Sequence, residues 1–246
     1  RDSSNEQKVN HLLELGKSSA NCNVKLFEGD LFKKGSYDKA FINCSAVIHA
    51  GATVGFNRET PQEVYDGCFT ENKHVVESAI KSESIKRLVF TSSFAAVAHP
   101  RPEGYVFDEK DWCGDNVEAY KGAWSTDNIS KNRDIAYAMA KANTEKYIYE
   151  VAEKDGNFEA ISINPLHVIG PLLTENHNQF FSWQFFILQL LKGVNFGSYN
   201  GQQVRSDRML WNMVDVRDVA KAHRLAAESS NAVSYTHLTL PTIKRV

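Results

Sequence analysis

Short apolar runs alternate with longer helical stretches along most of the chain. Four of these runs are rich in Val, Ile, Leu or Phe and are only about four or five residues long, as expected of strands that are buried on both faces. They predict strands at Val24–Phe27, Ala46–His49, Arg87–Thr91 and Ala160–Ile163. Parallel strands that lie side by side require a crossover segment between them, so helices are expected in the intervening chain.

Helical patterns occur where these crossovers are needed. They predict helices over Glu6–Leu15, which ends at Gly16, and over Glu63–Lys81, Ile135–Lys154 and Val216–Glu228. Strands that alternate with helices in this order are typical of an α/β fold, in which helices cover both faces of a parallel sheet. The polar stretch His99–Lys131 is predicted to be a loop, and such loops gather at the carboxyl ends of the strands, where ligands bind.

Composition narrows the class of protein. The 246 residues are 42% hydrophobic and 24% charged, which is enough for one substantial core or for a core with a small lobe. The net charge is −2 and no basic run is present, so we expect a small-molecule ligand and no nucleic acid. The apolar segment Phe180–Leu191 is shorter than the roughly 20 residues of a membrane span, and we expect no span.

The four cysteines form neither a C-x-x-C pair nor a short-spaced cluster with histidine. No zinc or other metal site is therefore expected. Unpaired thiols are usual in a reducing compartment, which favours a cytoplasmic location.

Tyr137 and Lys141 form a Y-x-x-x-K pair on a predicted helix. Side chains four residues apart share one helix face, and a lysine cation beside a phenol stabilises the phenolate form. Tyr137 could then exchange a proton with a substrate oxygen near neutral pH. With 9 Tyr and 18 Lys in the chain, roughly 0.7 such pairs are expected by chance, so the pair alone is weak evidence.

Ser93 strengthens this interpretation, because it follows the predicted strand Arg87–Thr91. A serine at the carboxyl end of a sheet can orient a substrate carbonyl by hydrogen bonding. The alternative is that Thr91, Ser92 and Ser93 form a helix cap or a turn. A strand, a serine and a Tyr–Lys helix in this order favour a catalytic group of Ser93, Tyr137 and Lys141.

The chain resembles the extended short-chain dehydrogenase/reductases from Arg1 to about Asn231. Within them it is most similar to the branch of dihydroflavonol reductases, cinnamoyl-CoA reductases and 3β-hydroxysteroid dehydrogenases. Each marker is a common string by itself, but six in family order are specific. The markers are Gly29-Asp-Leu31, Val47-Ile-His-Ala-Gly-Ala52, Val89-Phe-Thr-Ser-Ser93, Tyr137-x-x-x-Lys141, Asn164-Pro-Leu-His-Val-Ile-Gly-Pro171 and Val214-Asp-Val-Arg-Asp-Val-Ala-Lys-Ala-His223.

The resemblance implies NADP as cofactor and assigns residues to it. Asp30 and Leu31 would flank the adenine, and Ala50, Gly51 and Ala52 would run beside the pyrophosphate and ribose. Lys141 would also hold the nicotinamide ribose, and Pro165 and Val168 would line the nicotinamide. Arg1, with Lys8 as a second contact, would bind the 2′-phosphate, since a guanidinium suits phosphate by bidentate geometry.

By the same resemblance, the fold is a Rossmann-type doubly wound parallel sheet that lacks its first strand and glycine-rich loop. Residues 1–172 would form the dinucleotide-binding domain, and residues 173–233 a partial substrate lobe with a returning helix. Residues 234–246 match nothing expected of the family and are interpreted as a tail that is not native family sequence.

The implied activity is hydride transfer between NADP(H) and a carbonyl or secondary alcohol. The branch-specific substrate motifs are absent: Ala98 stands where dihydroflavonol reductases have Asn, and Lys131–Lys141 departs from the cinnamoyl-CoA reductase string. Two alternatives remain open, namely a sugar-nucleotide epimerase or dehydratase of the same fold, and a non-catalytic dinucleotide-binding protein. The Arg-x-x-Asn-Val-Tyr-Gly-Pro pattern usual in epimerases is missing.

Because the glycine-rich turn holds the pyrophosphate in this fold, we expect the chain as it stands to bind NADPH poorly and to be inactive. Calorimetric titration of the 246-residue chain should give a dissociation constant well above the micromolar range. A micromolar constant would contradict this expectation.

Overall fold

Regular elements in the computed structural model largely follow the predicted segments. The structure describes residues 5–18, 23–52, 60–97, 104–108, 110–114, 126–174, 187–188, 191–192, 198–199, 202–203 and 213–229. The helices are α1 (Glu6–Lys17), α2 (Asp38–Phe41), α3 (Pro61–Lys81), α4 (Arg133–Asp155) and α5 (Val216–Glu228). The strands are β1 (Ala46–His49), β2 (Arg87–Thr91), β3 (Glu159–Ile163), β4 (His167–Ile169), β5 (Ser198–Tyr199), β6 (Gln202–Gln203) and β7 (Met213–Asp215).

The described residues fall into two compact units. The larger unit takes those from Phe27 to Leu166 and from Val219 onward. The smaller unit takes those up to Leu26 and from His167 to Asp218. In the smaller unit, β4 pairs in parallel with β7, and β5 pairs antiparallel with β6.

A three-stranded parallel sheet in the order β1-β2-β3 forms the centre of the larger unit. Successive residues of a strand point to opposite faces, and both faces of β2 are covered. Leu88 and Phe90 pack in a core with residues of α3 and α4, whereas Val89 packs with Ala226 of α5. Helices on both faces of a parallel sheet are the doubly wound arrangement, which confirms the predicted fold class.

Local signals fix the helix ends around this sheet. Thr60 and Glu63 form a reciprocal capping box ahead of α3, with Pro61 in the first turn. Asn132 caps α4 by accepting a hydrogen bond from the Asp134 N–H at 2.7 Å. Gly156 ends α4 with a left-handed φ of 66°, a conformation that glycine adopts without steric cost.

The prediction of a strand at Val24–Phe27 is wrong. Val24–Phe27 has no regular secondary structure, and no strand ladder among the described residues includes it. An apolar run becomes a strand only when a neighbouring strand bonds its backbone groups. Among the described residues, β1 is instead an outer strand of the three-stranded sheet.

The structure differs in detail from two further predictions, which concern the helix bounds and the long loop. The helices begin or end at most two residues from their predicted bounds. Within the predicted loop His99–Lys131, the final residues Thr126–Lys131 form a 3₁₀ helix. The apolar segment Phe180–Leu191 lies almost wholly outside the described residues.

Replacement of Gly156 by alanine is expected to destabilise the protein by about 1 kcal/mol, because a Cβ disfavours the left-handed backbone. A Cβ there would meet no atom within 4 Å, so the loss measures backbone strain alone. Asn, which tolerates this conformation better, serves as the matched control and should lose less. Urea unfolding of the two variants checks this, and equal stability of Gly156→Ala and wild type would contradict it.

We expect the stability of the protein to depend on pH because His49 is buried. Its ring is 7% exposed, and Nε2 lies 2.6 Å from Asn72 Oδ1, which can only accept, so Nε2 carries the proton. Burial lowers the pKa of His49 from 6.5 to about 4; the Asn72 hydrogen bond opposes this and Lys141 adds to it. The unfolded chain therefore takes up a proton first as the pH falls, and stability decreases from pH 6.5 towards pH 4.

Between pH 7 and pH 5 this residue should contribute a loss of about 2 kcal/mol in the free energy of unfolding. His49→Gln keeps a donor for Asn72 but cannot be protonated, so its stability should fall less over the same range. Urea unfolding at both pH values gives the comparison. Parallel losses in wild type and variant would show that His49 does not carry the effect.

Candidate active site

The carboxyl ends of β1, β2 and β3 lie at one edge of the larger unit's sheet, because the strands are parallel. Backbone pairing between β2 and β3 continues past the strand ends. The Ser92 N–H donates to the Ile163 carbonyl at 2.9 Å, and the Phe94 N–H donates to the Pro165 carbonyl at 3.0 Å. These two bonds bracket Ser93 and fix it beside the end of β3.

Lys141 lies on α4 with its side chain in the protein interior. The residue is 2% exposed, and Nζ donates to the Thr91 carbonyl, the last of β2, at 3.2 Å. The same Nζ lies 5.0 Å from the centroid of the Phe90 ring. A buried ammonium is costly unless it is hydrogen-bonded, and the strand end supplies an acceptor and an aromatic face.

Tyr137 lies one helical turn before Lys141, and its ring centroid is 5.8 Å from Lys141 Nζ. The ring is half-buried and packs against an apolar cluster that contains Ala96. Ala96 belongs to the short 3₁₀ helix Phe94–Ala96, which begins directly after Ser93. The structure thus brings the Tyr137–Lys141 face of α4 against the turn that carries Ser93.

Ser93 has the capping role that the sequence left as an alternative. Its Oγ accepts a hydrogen bond from the Ala95 N–H at 3.2 Å and so caps the 3₁₀ helix. This bond uses a lone pair of the oxygen and leaves the hydroxyl hydrogen available. Capping and donation to a substrate carbonyl are therefore compatible in one side chain.

The segment after β1 presents small residues to solvent. Ala50 and Gly51 are exposed and Ala52 is half-buried. A Cβ on Gly51 would lie 3.4 Å from Leu31 Cδ1, so the two segments predicted to flank a dinucleotide are in contact. Asp30 is exposed, and its Oδ1 accepts a hydrogen bond from the Phe32 N–H at 3.0 Å, which shapes the turn around Leu31.

The remaining residues predicted to bind the cofactor do not all belong to the larger unit. Pro165 is buried at the end of β3 in the larger unit, whereas Val168 lies in β4 of the smaller unit. Lys8 belongs to α1 of the smaller unit, and its side chain lies outside the described part of the structure. Arg1 also lies outside the described residues.

Two polar contacts at this edge were not predicted from the sequence. The Thr91 hydroxyl lies 2.7 Å from His223 Nε2, and His223 Nδ1 lies 2.8 Å from the Val219 carbonyl. Because that carbonyl can only accept, Nδ1 carries the proton, and in the neutral ring the Thr91 hydroxyl then donates to Nε2. The residue that holds Lys141 is thereby tied to α5 on the opposite face of the sheet.

The second contact involves the buried carboxylate of Glu145, which lies one turn after Lys141 on α4. Its Oε1 accepts a hydrogen bond from Asn164 Nδ2 at 2.7 Å, and its Oε2 accepts one from Ser162 Oγ at 3.1 Å. The spacing of four from Lys141 was the available signal for Glu145, but a Glu on a helix is usually solvated.

The described residues contain no group of three or more His, Cys, Asp or Glu side chains that could hold a metal ion. None of the described helices has both the length and the apolar character that crossing a membrane requires.

Two known proteins with similar sequences are reductases. A cinnamoyl-CoA reductase (CAD2) of Medicago truncatula is 32% identical over 237 residues, which cover 94% of this chain and 64% of the relative. A dihydroflavonol 4-reductase of Solanum lycopersicum is 34% identical over 177 residues, covering 71% of this chain and 43% of the relative. The chain thus spans less than two thirds of the length of these relatives.

Solved structures share the fold. Gre2 of Candida albicans, solved in complex with NADPH, has a TM-score of 0.71 at 23% identity, covering 92% of this chain and 66% of its own. The model of the NAD dependent epimerase/dehydratase family matches residues 2–239. The predicted resemblance is confirmed, and the chain belongs to the NAD dependent epimerase/dehydratase family.

Proposed function

We propose that the protein is an oxidoreductase that transfers a hydride between NADP(H) and a small carbonyl or secondary alcohol. The observation that carries the proposal is the position of Lys141, which lies buried against the carboxyl end of β2 with Tyr137 one turn away. A cation held beside a phenol at the ligand-binding edge of a parallel sheet suits proton exchange with a substrate oxygen. The names of the relatives, which are reductases, support the same reaction class.

Each group has a distinct role in this proposal. Tyr137 protonates the substrate oxygen during reduction and removes the proton during oxidation. Lys141 stabilises the phenolate form of Tyr137 through its positive charge, and Ser93 donates its hydroxyl hydrogen to the carbonyl oxygen. NADPH, when bound, supplies the hydride. Reaction then requires the carbonyl to lie between Ser93 and Tyr137, as proximity and orientation demand.

The described residues fit a dinucleotide at this edge. Exposed Ala50 and Gly51 allow close approach of a phosphate to the backbone, and Leu31 lies against Gly51 as an apolar surface for the adenine. In the proposal Asp30 borders the adenine, Ala52 continues the phosphate segment, and Lys141 also binds the ribose. Pro165 and Val168 line the nicotinamide, and Arg1 and Lys8 bind the 2′-phosphate.

Tyr137→Phe should lower the turnover number by about 10²- to 10⁴-fold, because it removes the proton donor and keeps the ring. The affinity for NADPH should change little. The assay follows NADPH oxidation over a panel of carbonyl compounds. It uses the chain itself and a form extended ahead of Arg1 by the first strand and glycine-rich turn that the family resemblance implies.

Tyr147→Phe is the matched control, since this second tyrosine of α4 is half-buried against Phe69 and Lys73. It should retain normal turnover. A Tyr137→Phe variant with the wild-type rate would refute the catalytic assignment. A tightly held cofactor with no net NADPH consumption on any carbonyl would favour the epimerase or dehydratase alternative, and reversible NADPH binding without any turnover would favour a non-catalytic protein.

A further inference from the structure

A buried polar network joins α4 to the backbone of Ser93. Glu145 is 0% exposed and Asn164 is 1% exposed. Asn164 Nδ2 donates to Glu145 Oε1 at 2.7 Å and to the Ser93 carbonyl at 3.2 Å. The side-chain amide at the end of β3 therefore connects a helical carboxylate to the proposed substrate-orienting residue.

The chemistry of the two neighbours fixes the orientation of the Asn164 amide. A carboxylate and a backbone carbonyl both accept hydrogen bonds and donate none. If the amide were reversed, its oxygen would face two acceptors in a buried site, which is strongly unfavourable. The NH₂ group must face Glu145 and Ser93, and each of its hydrogens has one acceptor.

The second carboxylate oxygen of Glu145 is also hydrogen-bonded. Its Oε2 accepts from Ser162 Oγ at 3.1 Å, and the hydroxyl of Tyr149 is hydrogen-bonded to the same Ser162 Oγ. The Ser162 N–H donates to the Tyr149 hydroxyl at 3.1 Å. These bonds anchor the carboxylate to β3, so it offers Asn164 an acceptor at a fixed place.

Movement of the Ser93 carbonyl would also move the Ser93 hydroxyl. The Ser93 carbonyl accepts from the Ala96 N–H at 2.9 Å, and Ser93 Oγ accepts from the Ala95 N–H at 3.2 Å. Both bonds belong to the same 3₁₀ turn. The carbonyl that Asn164 holds is thus part of the unit that directs Oγ.

We propose that Glu145 is a positioning residue for Ser93 and acts through the amide of Asn164. It does not contact the substrate or the cofactor in this proposal. The catalytic part of the inference rests on the proposed reductase function, whereas the structural part does not depend on it.

The structural part is tested by amide hydrogen exchange on the full chain. Glu145→Leu removes the acceptor at similar volume, and exchange at Phe94 and Ala96 should become at least about tenfold faster. Glu145→Gln still offers an oxygen to Asn164 and should remain within about twofold of wild type. Ser78→Ala removes the partly buried hydrogen bond that Ser78 of α3 donates to Asp38 of α2, and it should leave exchange at the Ser93 turn unchanged.

Asn164→Ala provides a second route to the same result if Glu145→Leu does not fold, because it removes the link while leaving the carboxylate bonded to Ser162. Faster exchange at the Ser93 turn is again expected. Unchanged exchange in Asn164→Ala, or equal acceleration in Ser78→Ala, would overturn the proposal.

The catalytic part is tested by a double-mutant cycle in the form of the protein that reduces a carbonyl. Glu145→Leu should lower kcat by about 10- to 100-fold, since displacement of a catalytic group by about 1 Å has such an effect. In a Ser93→Ala background the same change should lower kcat by less than about twofold, because Glu145 acts through Ser93. The Michaelis constant for NADPH should remain near its original value.

An equal loss of kcat in both backgrounds would overturn the positioning role, even if exchange at the Ser93 turn had changed. Absence of carbonyl reduction by the form that is extended ahead of Arg1 and otherwise unchanged is a different outcome. It would refute the proposed function, and the exchange experiment would then decide the structural claim by itself.

Discussion

The hydrogen bond from Lys141 Nζ to the Thr91 carbonyl is the interaction on which the site depends. Transfer of an ammonium group into a protein interior costs several kcal/mol unless other groups compensate for the lost water. Here a strand-end carbonyl and the face of Phe90 provide that compensation. The contact ties α4 to the end of β2, and Tyr137 lies one turn away on the same helix.

Both helical layers of the larger unit support this contact. On one face, Glu145 and Asn164 connect α4 to the Ser93 turn and to the end of β3. On the other face, His223 of α5 accepts a hydrogen bond from the Thr91 hydroxyl. The carbonyl and the hydroxyl of Thr91 therefore bond to opposite layers, and the end of β2 is held from both sides. Rigid strand ends with a polar edge are suited to hold a reacting group within a narrow range of positions.

Local patterns predicted much of this architecture. Ala46–His49 and Arg87–Thr91 match β1 and β2 because buried strands have a distinctive composition, and Gly156 marks the end of α4 because the left-handed cap favours glycine. The strand predicted at Val24–Phe27 is not formed, because strand formation depends on a pairing partner that the residues of the run do not specify. The long-range polar contacts were also beyond sequence reasoning, since Glu145 and Asn164 meet only after α4 packs on β3.

The transfer of deuterium from NADPH to the product is the most direct test of hydride transfer between the cofactor and a carbonyl. The form extended ahead of Arg1 is supplied with a carbonyl substrate and with NADPH that carries deuterium at the transferred position, and the alcohol product is analysed by mass spectrometry. We expect one deuterium on the carbinol carbon of each product molecule. Retention of all deuterium in the cofactor, with product formed or the substrate epimerised, would contradict this expectation.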